Sequence, residues 1–204
     1  MHILNQTVLG IAILLLLGIL VTAKRIGTGS IFDKPTGNLL VQLVNIFNLF
    51  FLLVVNPLAA ILLIIGRLPA IDPTYLSLNE SIILTVLEIL GVFLYVAGYL
   101  LMGGALITLG RNYQLGGSVP RSEDKMVTKG PYRLIRHPMY TSALSISLGL
   151  ACLIQSGAFF SVFCIYLLLI LLLVPVEEDG LRKTYGEQYI TYERRTRKLI
   201  PFVY

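Results

Sequence analysis

Five stretches of this chain are almost free of charge: residues 3–23, 39–66, 81–109, 138–154 and 158–176, the third interrupted only by Glu88. Each has about the 17–25 residues, or more, that a helix needs to cross a bilayer. Only helices satisfy their own backbone in lipid without closing a barrel, so the pattern predicts five transmembrane helices. The second and third stretches would be on the order of 42 Å long at 1.5 Å per residue, and are expected to tilt, kink or project beyond the membrane. The last two are parted by Gln155-Ser156-Gly157, a polar, turn-capable break. A hairpin folded there returns the chain to the face it left. Arg133, Arg136 and His137 precede this hairpin, and Glu177, Glu178 and Asp179 follow it. A cationic cluster and a carboxylate pair are therefore expected side by side at one membrane face, an arrangement suited to a water-soluble zwitterion.

Composition sharpens the class. With 56% hydrophobic residues, 13% charged and no tryptophan, the chain is too apolar for a soluble domain of its size. The first stretch is read as a retained helix rather than a signal peptide, since no basic residue precedes its long apolar run and further spans follow. The net charge of +5 gathers in loops without the aromatic interleaving of a nucleic-acid surface. Its expected counterpart is the anionic leaflet of the membrane. Lys24, Arg25 and Lys34 lie in the first loop, Arg67 alone in the second, and Arg111, Arg121, Lys125, Lys129, Arg133 and Arg136 in the third. Arg182, Lys183, Arg194, Arg195, Arg197 and Lys198 lie in the tail. Positive-inside bias then puts the first loop, the third loop and the C-terminus in the cytoplasm and the N-terminus outside. Cys152 and Cys164 show neither Cys-x-x-Cys nor metal-ligand spacing and read as packing residues, so no metal is expected.

The third loop, residues 110–137, carries Gly116-Gly117, Pro120, Gly130 and Pro131 and should be irregular. In the tail, Leu181, Tyr185, Tyr189 and Tyr192 recur at spacings that make one face of a helix over residues 177–195, which either lies on the membrane interface or closes over the third loop. The expected fold is all-α: an integral membrane bundle of five transmembrane helices, three in residues 1–109, with a cytoplasmic C-terminal catalytic region in residues 110–204.

Pro138 marks a helix start, because proline is tolerated in the first turn, where its missing N–H has no partner. The free N–H groups of that turn, with Arg136, His137 and nearby Tyr140, suit a carboxylate; alternatively Arg136 and His137 anchor a helix end at the headgroups. Glu177 and Glu178 require a cation, whether Arg182, Lys183 or a ligand ammonium. Glu88 lies within the third stretch, where a carboxylate is expensive to ionise. Asn45, Asn48 and Asn56 form a loose stripe on the second helix, bent at Asn56-Pro57, and either bond neighbouring helices or line a path for an amphiphile. Serine-nucleophile, zinc, phosphate-loop and Rossmann motifs are missing from the sequence.

The run Gly130-Pro131-Tyr132-Arg133-Leu134-Ile135-Arg136-His137-Pro138-Met139-Tyr140, followed after an uncharged hairpin by Glu177-Glu178, then Tyr185-Gly186-Glu187-Gln188-Tyr189-Ile190-Thr191-Tyr192 and Leu199-Ile200-Pro201-Phe202, resembles the isoprenylcysteine carboxyl methyltransferases and the related phospholipid N-methyltransferases. The likeness covers about residues 125–202, and the helix count looks like a small prokaryotic member. It implies S-adenosylmethionine as methyl donor, released as S-adenosylhomocysteine. By position it implies that Lys125, Met126, Val127, Tyr132, His137, Pro138, Met139 and Tyr140 bind that donor, with Glu177 of the Glu177-Glu178 pair as the acidic residue; Glu178 is counted with them. Two positions depart from the pattern: Ser142 stands where a glycine is common, and Leu173 where eukaryotic isoprenylcysteine enzymes carry an arginine for the substrate carboxylate. Arg136 is the candidate to orient the acceptor in its place. The expected reaction is methylation of an isoprenylcysteine carboxylate drawn from the bilayer. The alternatives are N-methylation of an aminophospholipid, with Glu88 as base, and a ligand-binding scaffold without catalysis.

Overall fold

The computed structural model describes residues 5–29, 39–76, 82–113 and 124–200. The starts of the first and third apolar stretches, and Lys34, Gly116-Gly117, Pro120, Arg121 and Pro201-Phe202, lie outside them. The protein is a membrane bundle of helices, here α1 (Gln6–Thr28), α2 (Leu39–Ile64), α3 (Ile82–Leu109), α4 (Pro138–Ile154), α5 (Gly157–Tyr185) and α6 (Glu187–Arg195). Helices α1, α2, α3 and α5 are long and apolar enough to span a bilayer, whereas α4 has 17 residues. Side chains such as Val8, Ile19, Ile83, Phe93, Leu100 and Leu168 point outward, an apolar surface that only lipid makes tolerable.

Each helix carries the mark of its sequence. The Asn5 side chain caps α1 by accepting from Thr7 N at 2.9 Å. In α2 the bend expected at Asn56-Pro57 takes the form of a π-helical stretch, Phe51–Val55. Pro57 has no N–H and its ring would crowd the carbonyl four residues back, and the wider turn relieves both conflicts. The Asn56 side chain donates to Phe51 O at 3.1 Å and accepts from the Tyr95 hydroxyl at 2.6 Å. Asn48 accepts from Tyr166 Oη. Two of the three asparagines thus bond α2 to α3 and to α5, as polar groups at membrane depth commonly do.

Helices α3 and α4 run antiparallel in close contact. A Cβ at Gly149 would lie 2.6 Å from Tyr95 N and 3.0 Å from Gly91 O, so only hydrogen lets the two backbones meet. Ser142 on α4 reaches Met102 Sδ at 3.4 Å, and Gln155 at the far end donates to Leu84 O at 3.1 Å. These pairs set one register along the whole contact.

The hairpin turns where the sequence predicts. Gln155 adopts the left-handed conformation that ends α4, and Ser156 caps α5. The turn is fastened to the loop before α3: Ser156 Oγ donates to Asp72, Thr74 Oγ1 donates to Asp72 Oδ1 at 2.7 Å, and Gly157 N donates to Thr74 O at 3.1 Å. Although burial pushes the Asp72 carboxyl up, the bonds from Ser156 and Thr74 outweigh it and leave the group below its ordinary range.

The tail differs from the single helix expected over residues 177–195. Helix α5 continues without interruption to Tyr185, and α6 begins only after Gly186, at φ 53° and ψ −130°. That conformation is open to glycine and strained for a residue with a Cβ. The break turns α6 back over the end of the bundle.

The α3–α4 contact yields a prediction. Gly149→Val should lower unfolding free energy in detergent by about 3 kcal/mol or more, because the clash is with backbone. Gly103→Ala, where an added Cβ meets nothing within 4 Å, should leave the melting temperature unchanged or slightly raised. Equal melting temperatures for the two variants would contradict this packing.

Candidate functional site

The charged ends of the hairpin meet. The chain enters α4 through a 3-10 turn, Gly130–Arg133, and the segment after it pairs in parallel with the C-terminal strand-like stretch. Arg136 N donates to Arg197 O at 2.7 Å, His137 N to Lys198 O at 3.1 Å, and Thr141 Oγ1 to Leu199 O at 2.6 Å. This pairing ties the Arg-His-Pro element to the tail, and Leu199 packs beside it in a buried cluster with Tyr140 and Val174.

Inside the junction, Arg136 donates through Nε to Glu178 Oε1 at 2.8 Å and through Nη1 to Thr196 O at 2.6 Å and Glu193 O at 3.1 Å. Glu178 is 1% exposed and has Lys198 at 3.5 Å and Arg182 at 3.6 Å from its other oxygen. The closest partner of this glutamate is thus Arg136, and Arg182, one of the two cations named from sequence, stands as a second, longer ion pair. Arg136, the candidate to orient the acceptor, ties α4, α5 and the tail together through these bonds and also borders the cavity that lies above. Arg182 also donates to both oxygens of Glu193, at 2.7 and 3.1 Å. Those bonds hold the Glu193 carboxyl below its ordinary range despite partial burial.

Above this lock lies a cavity of 180 Å³, far more than the roughly 10–15 Å³ that one water needs. Its walls include nine of the ten donor-binding candidates: Lys125, Met126, Val127, Tyr132, His137, Pro138, Met139, Tyr140 and Glu177. Glu178 is the exception, lying beneath the wall. Neighbouring positions on a helix point about 100° apart, so one glutamate faces the lock and the other the cavity. The tyrosine face of the tail closes over the loop: Leu181, Tyr185, Tyr189 and Tyr192 line the cavity, and the Tyr192 hydroxyl donates to Tyr132 O at 2.6 Å. Arg136 also borders the cavity, and Leu109, Asn112 and Asp124, which complete the lining, carry no signal in sequence that separates them from other loop residues.

Three polar atoms of the wall are buried without a hydrogen-bond partner: His137 Nε2, Glu177 Oε2 and Tyr189 Oη. His137 Nδ1 is 3.6 Å from Glu177 Oε2, and His137 Nε2 is 3.4 Å from Glu178 Oε1, near enough to attract but not aligned to bond. Burial pushes the Tyr132, Tyr189 and Tyr192 phenols up, which keeps them neutral hydroxyls near pH 7.

A second cavity, of 130 Å³, adjoins the first and shares Met139 and Tyr140 with it. Its walls come from Leu20, Val21, Leu52, Met102, Ala143 and Ile146, with Lys24, Asn48, Tyr113 and Tyr166 as polar members. Glu88 belongs to neither cavity. It is buried near the hairpin end of α3, roughly 30 Å along that helix from Leu109. That distance removes it as a base for any reaction at the charged end, contrary to the role considered for it above.

Residues 86–188 match the family model for phospholipid methyltransferase. Protein-S-isoprenylcysteine O-methyltransferase B of Arabidopsis thaliana is 30% identical over 115 residues, 55% of this chain and 58% of that one. The cobalt-zinc-cadmium resistance protein CzcN of Cupriavidus metallidurans is 32% identical over 101 residues, 50% of this chain and 47% of that one. The chain spans about half the length of these curated relatives. Among solved structures, a eukaryotic intramembrane Ras methyltransferase, isoprenylcysteine carboxyl methyltransferase, aligns with a TM-score of 0.54 at 20% identity, covering 80% of this chain and 74% of that one. That likeness establishes a common fold.

The two adjacent glutamates should separate by experiment. Glu178→Ala takes from buried Arg136 its closest carboxylate, leaving only the Glu193 carboxylate at 3.8 Å, and should lower unfolding free energy by about 3 kcal/mol. Glu177→Ala should cost less, since its carboxylate borders the cavity and gives up only the Tyr140 hydroxyl and the longer His137 contact. A greater loss of melting temperature for Glu177→Ala would reverse the assignment.

Proposed function

The chain belongs to the phospholipid methyltransferase family, and on that premise we propose that it moves a methyl group from S-adenosylmethionine to the carboxylate of a lipid-linked, prenylcysteine-like acceptor. The donor site is the cavity beneath α6, in the C-terminal region expected to be catalytic. Support comes from three buried wall atoms, on His137, Glu177 and Tyr189, that make no hydrogen bond within the protein. A buried polar group without a partner costs about 1–3 kcal/mol, a cost that a bound zwitterion removes. Glu177 suits its ammonium; His137, the Tyr189 hydroxyl and the free N–H groups of the first turn of α4 suit its carboxylate. Lys125, Met126, Val127, Tyr132, Pro138, Met139 and Tyr140 enclose the remainder. S-Adenosylmethionine, when bound, supplies a methyl group activated by a sulfonium.

The acceptor's hydrocarbon chain fits the second, largely apolar cavity, reached from the bilayer. A terminal carboxylate, with a reference pKa of about 3.5, is already ionised and needs no general base. An amine acceptor must lose a proton, and the lining of this cavity contains no carboxylate or imidazole among the described residues. That composition favours O-methylation over N-methylation. The residues here contribute placement and exclusion of water, with proximity worth up to roughly 7–11 kcal/mol of barrier. Arg136 acts as a positioning residue, setting His137 and Glu177 at fixed places on the wall. The lysine and arginine bias of the loops supports a cytoplasmic C-terminus and an external N-terminus.

Calorimetry with S-adenosylmethionine on purified protein should show binding, weakened roughly tenfold or more in Glu177→Gln through loss of a charge-assisted bond. Absence of binding to the wild type would favour a scaffold. With radiolabelled donor, a farnesylcysteine analogue should be methylated in preference to an aminophospholipid, and labelling of the aminophospholipid alone would overturn the acceptor assignment.

A further inference from the structure

We propose that Lys24, at the end of α1, recognises the acceptor's carboxylate and so selects anionic lipid heads over neutral or cationic ones. The proposal rests on the methyltransferase reading above and specifies its acceptor site. Lys24 carries the one charged side chain in the lining of the second cavity, among the described residues. Its Nζ lies 5.1 Å from the centre of the Tyr113 ring, which lines the same cavity.

The position of Lys24 along that cavity is what matters. The last turns of α1 pack against the end of α3: a Cβ at Gly27 would lie 3.4 Å from Leu106 O, and Gly110 approaches Gly27 O. Leu106 lines the second cavity, and Leu109, three residues on, lines the first. Tyr113 lines the second cavity together with Met139 and Tyr140, which also line the first. Lys24 therefore stands at the charged end of the apolar cavity, where an acceptor head would approach the donor. The deeper lining, with Leu20, Phe51, Leu52 and Ile146, is apolar and fits a hydrocarbon chain.

An ammonium in this position does two things for a carboxylate. Partly screened from water, it gives a charge-assisted hydrogen bond stronger than one between neutral groups. It also repels an ammonium head, adding discrimination against aminolipids. Its contact with the Tyr113 ring face limits the orientations of the long lysine stem.

The test uses full-length protein in detergent, with Lys24→Gln and Lys24→Arg. S-Adenosylmethionine affinity by calorimetry should equal that of the wild type in both, which also reports that they fold. For a farnesylcysteine analogue, Lys24→Gln should raise KM roughly ten- to hundredfold while kcat falls much less; Lys24→Arg should restore most of the affinity. As competitive ligands, a farnesylcysteine carboxylate should bind the wild type more tightly than its neutral carboxamide, and Lys24→Gln should abolish that preference. An unchanged KM, or equal losses for carboxylate and carboxamide, would overturn the role of Lys24 and leave the methyltransferase reading standing. No methylation of the analogue by the wild type would overturn the prenylcysteine reading and this proposal with it.

Discussion

The ion pair between Arg136 and Glu178, two residues far apart in sequence, is the constraint around which the charged end of this protein is organised. Removing two charges from water costs several kcal/mol for each ion, and mutual attraction offsets that only if the remaining valences are met. Here they are met. Arg136 also donates to two backbone carbonyls of the tail, while Lys198 and Arg182 attend the other oxygen of Glu178. The pair thereby fixes three separate elements: the entry to α4, the exit of α5 and the turn after α6. His137 and Glu177, each one position away in sequence, are carried to the cavity wall. A lock and a binding surface thus share consecutive residues because a helix turns by about 100° per residue.

Much of this was legible from the chain alone, for reasons of different strength. The hairpin follows from one polar break in a long uncharged run, and bilayer thickness then forces the two charged ends to the same face. Helical spacing groups the tail's tyrosines, but Gly186 divides them between α5 and α6, and it is the break that brings them together over the loop. Sequence could not say which glutamate would face inward, because the rotation of α5 is set by packing against α2 and α4. The same holds for Arg136, whose guanidinium meets tail carbonyls that nothing in the primary structure marks as acceptors. Gly186 was visible as a glycine, yet its left-handed break became evident only with the fold. Lys24 entered the sequence reading solely as a loop charge, since its closeness to α3 depends on how α1 packs.

The shortness of α4 sets the depth of the site. Its contacts with α3 keep one antiparallel register: Gln155 beside Leu84, Gly149 beside Gly91, Ser142 beside Met102. Continuing the register of Ser142 beside Met102 brings Pro138 close to the level of residue 106, some six residues short of Asn112 at the end of α3's helical extension. At 1.5 Å per residue the start of α4 is recessed by about 9 Å. The first turn of α4, with its unsatisfied N–H groups, is therefore sunk below the rim formed by Leu109, Asn112 and the tail. A polar ligand entering from the aqueous side must descend to reach it, and at that depth it meets Met139 and Tyr140, the residues that also border the apolar cavity. An amphiphile held in the bilayer needs no comparable excursion. The offset between two packed helices thus leaves a polar cavity and a largely apolar one on either side of a wall two side chains wide.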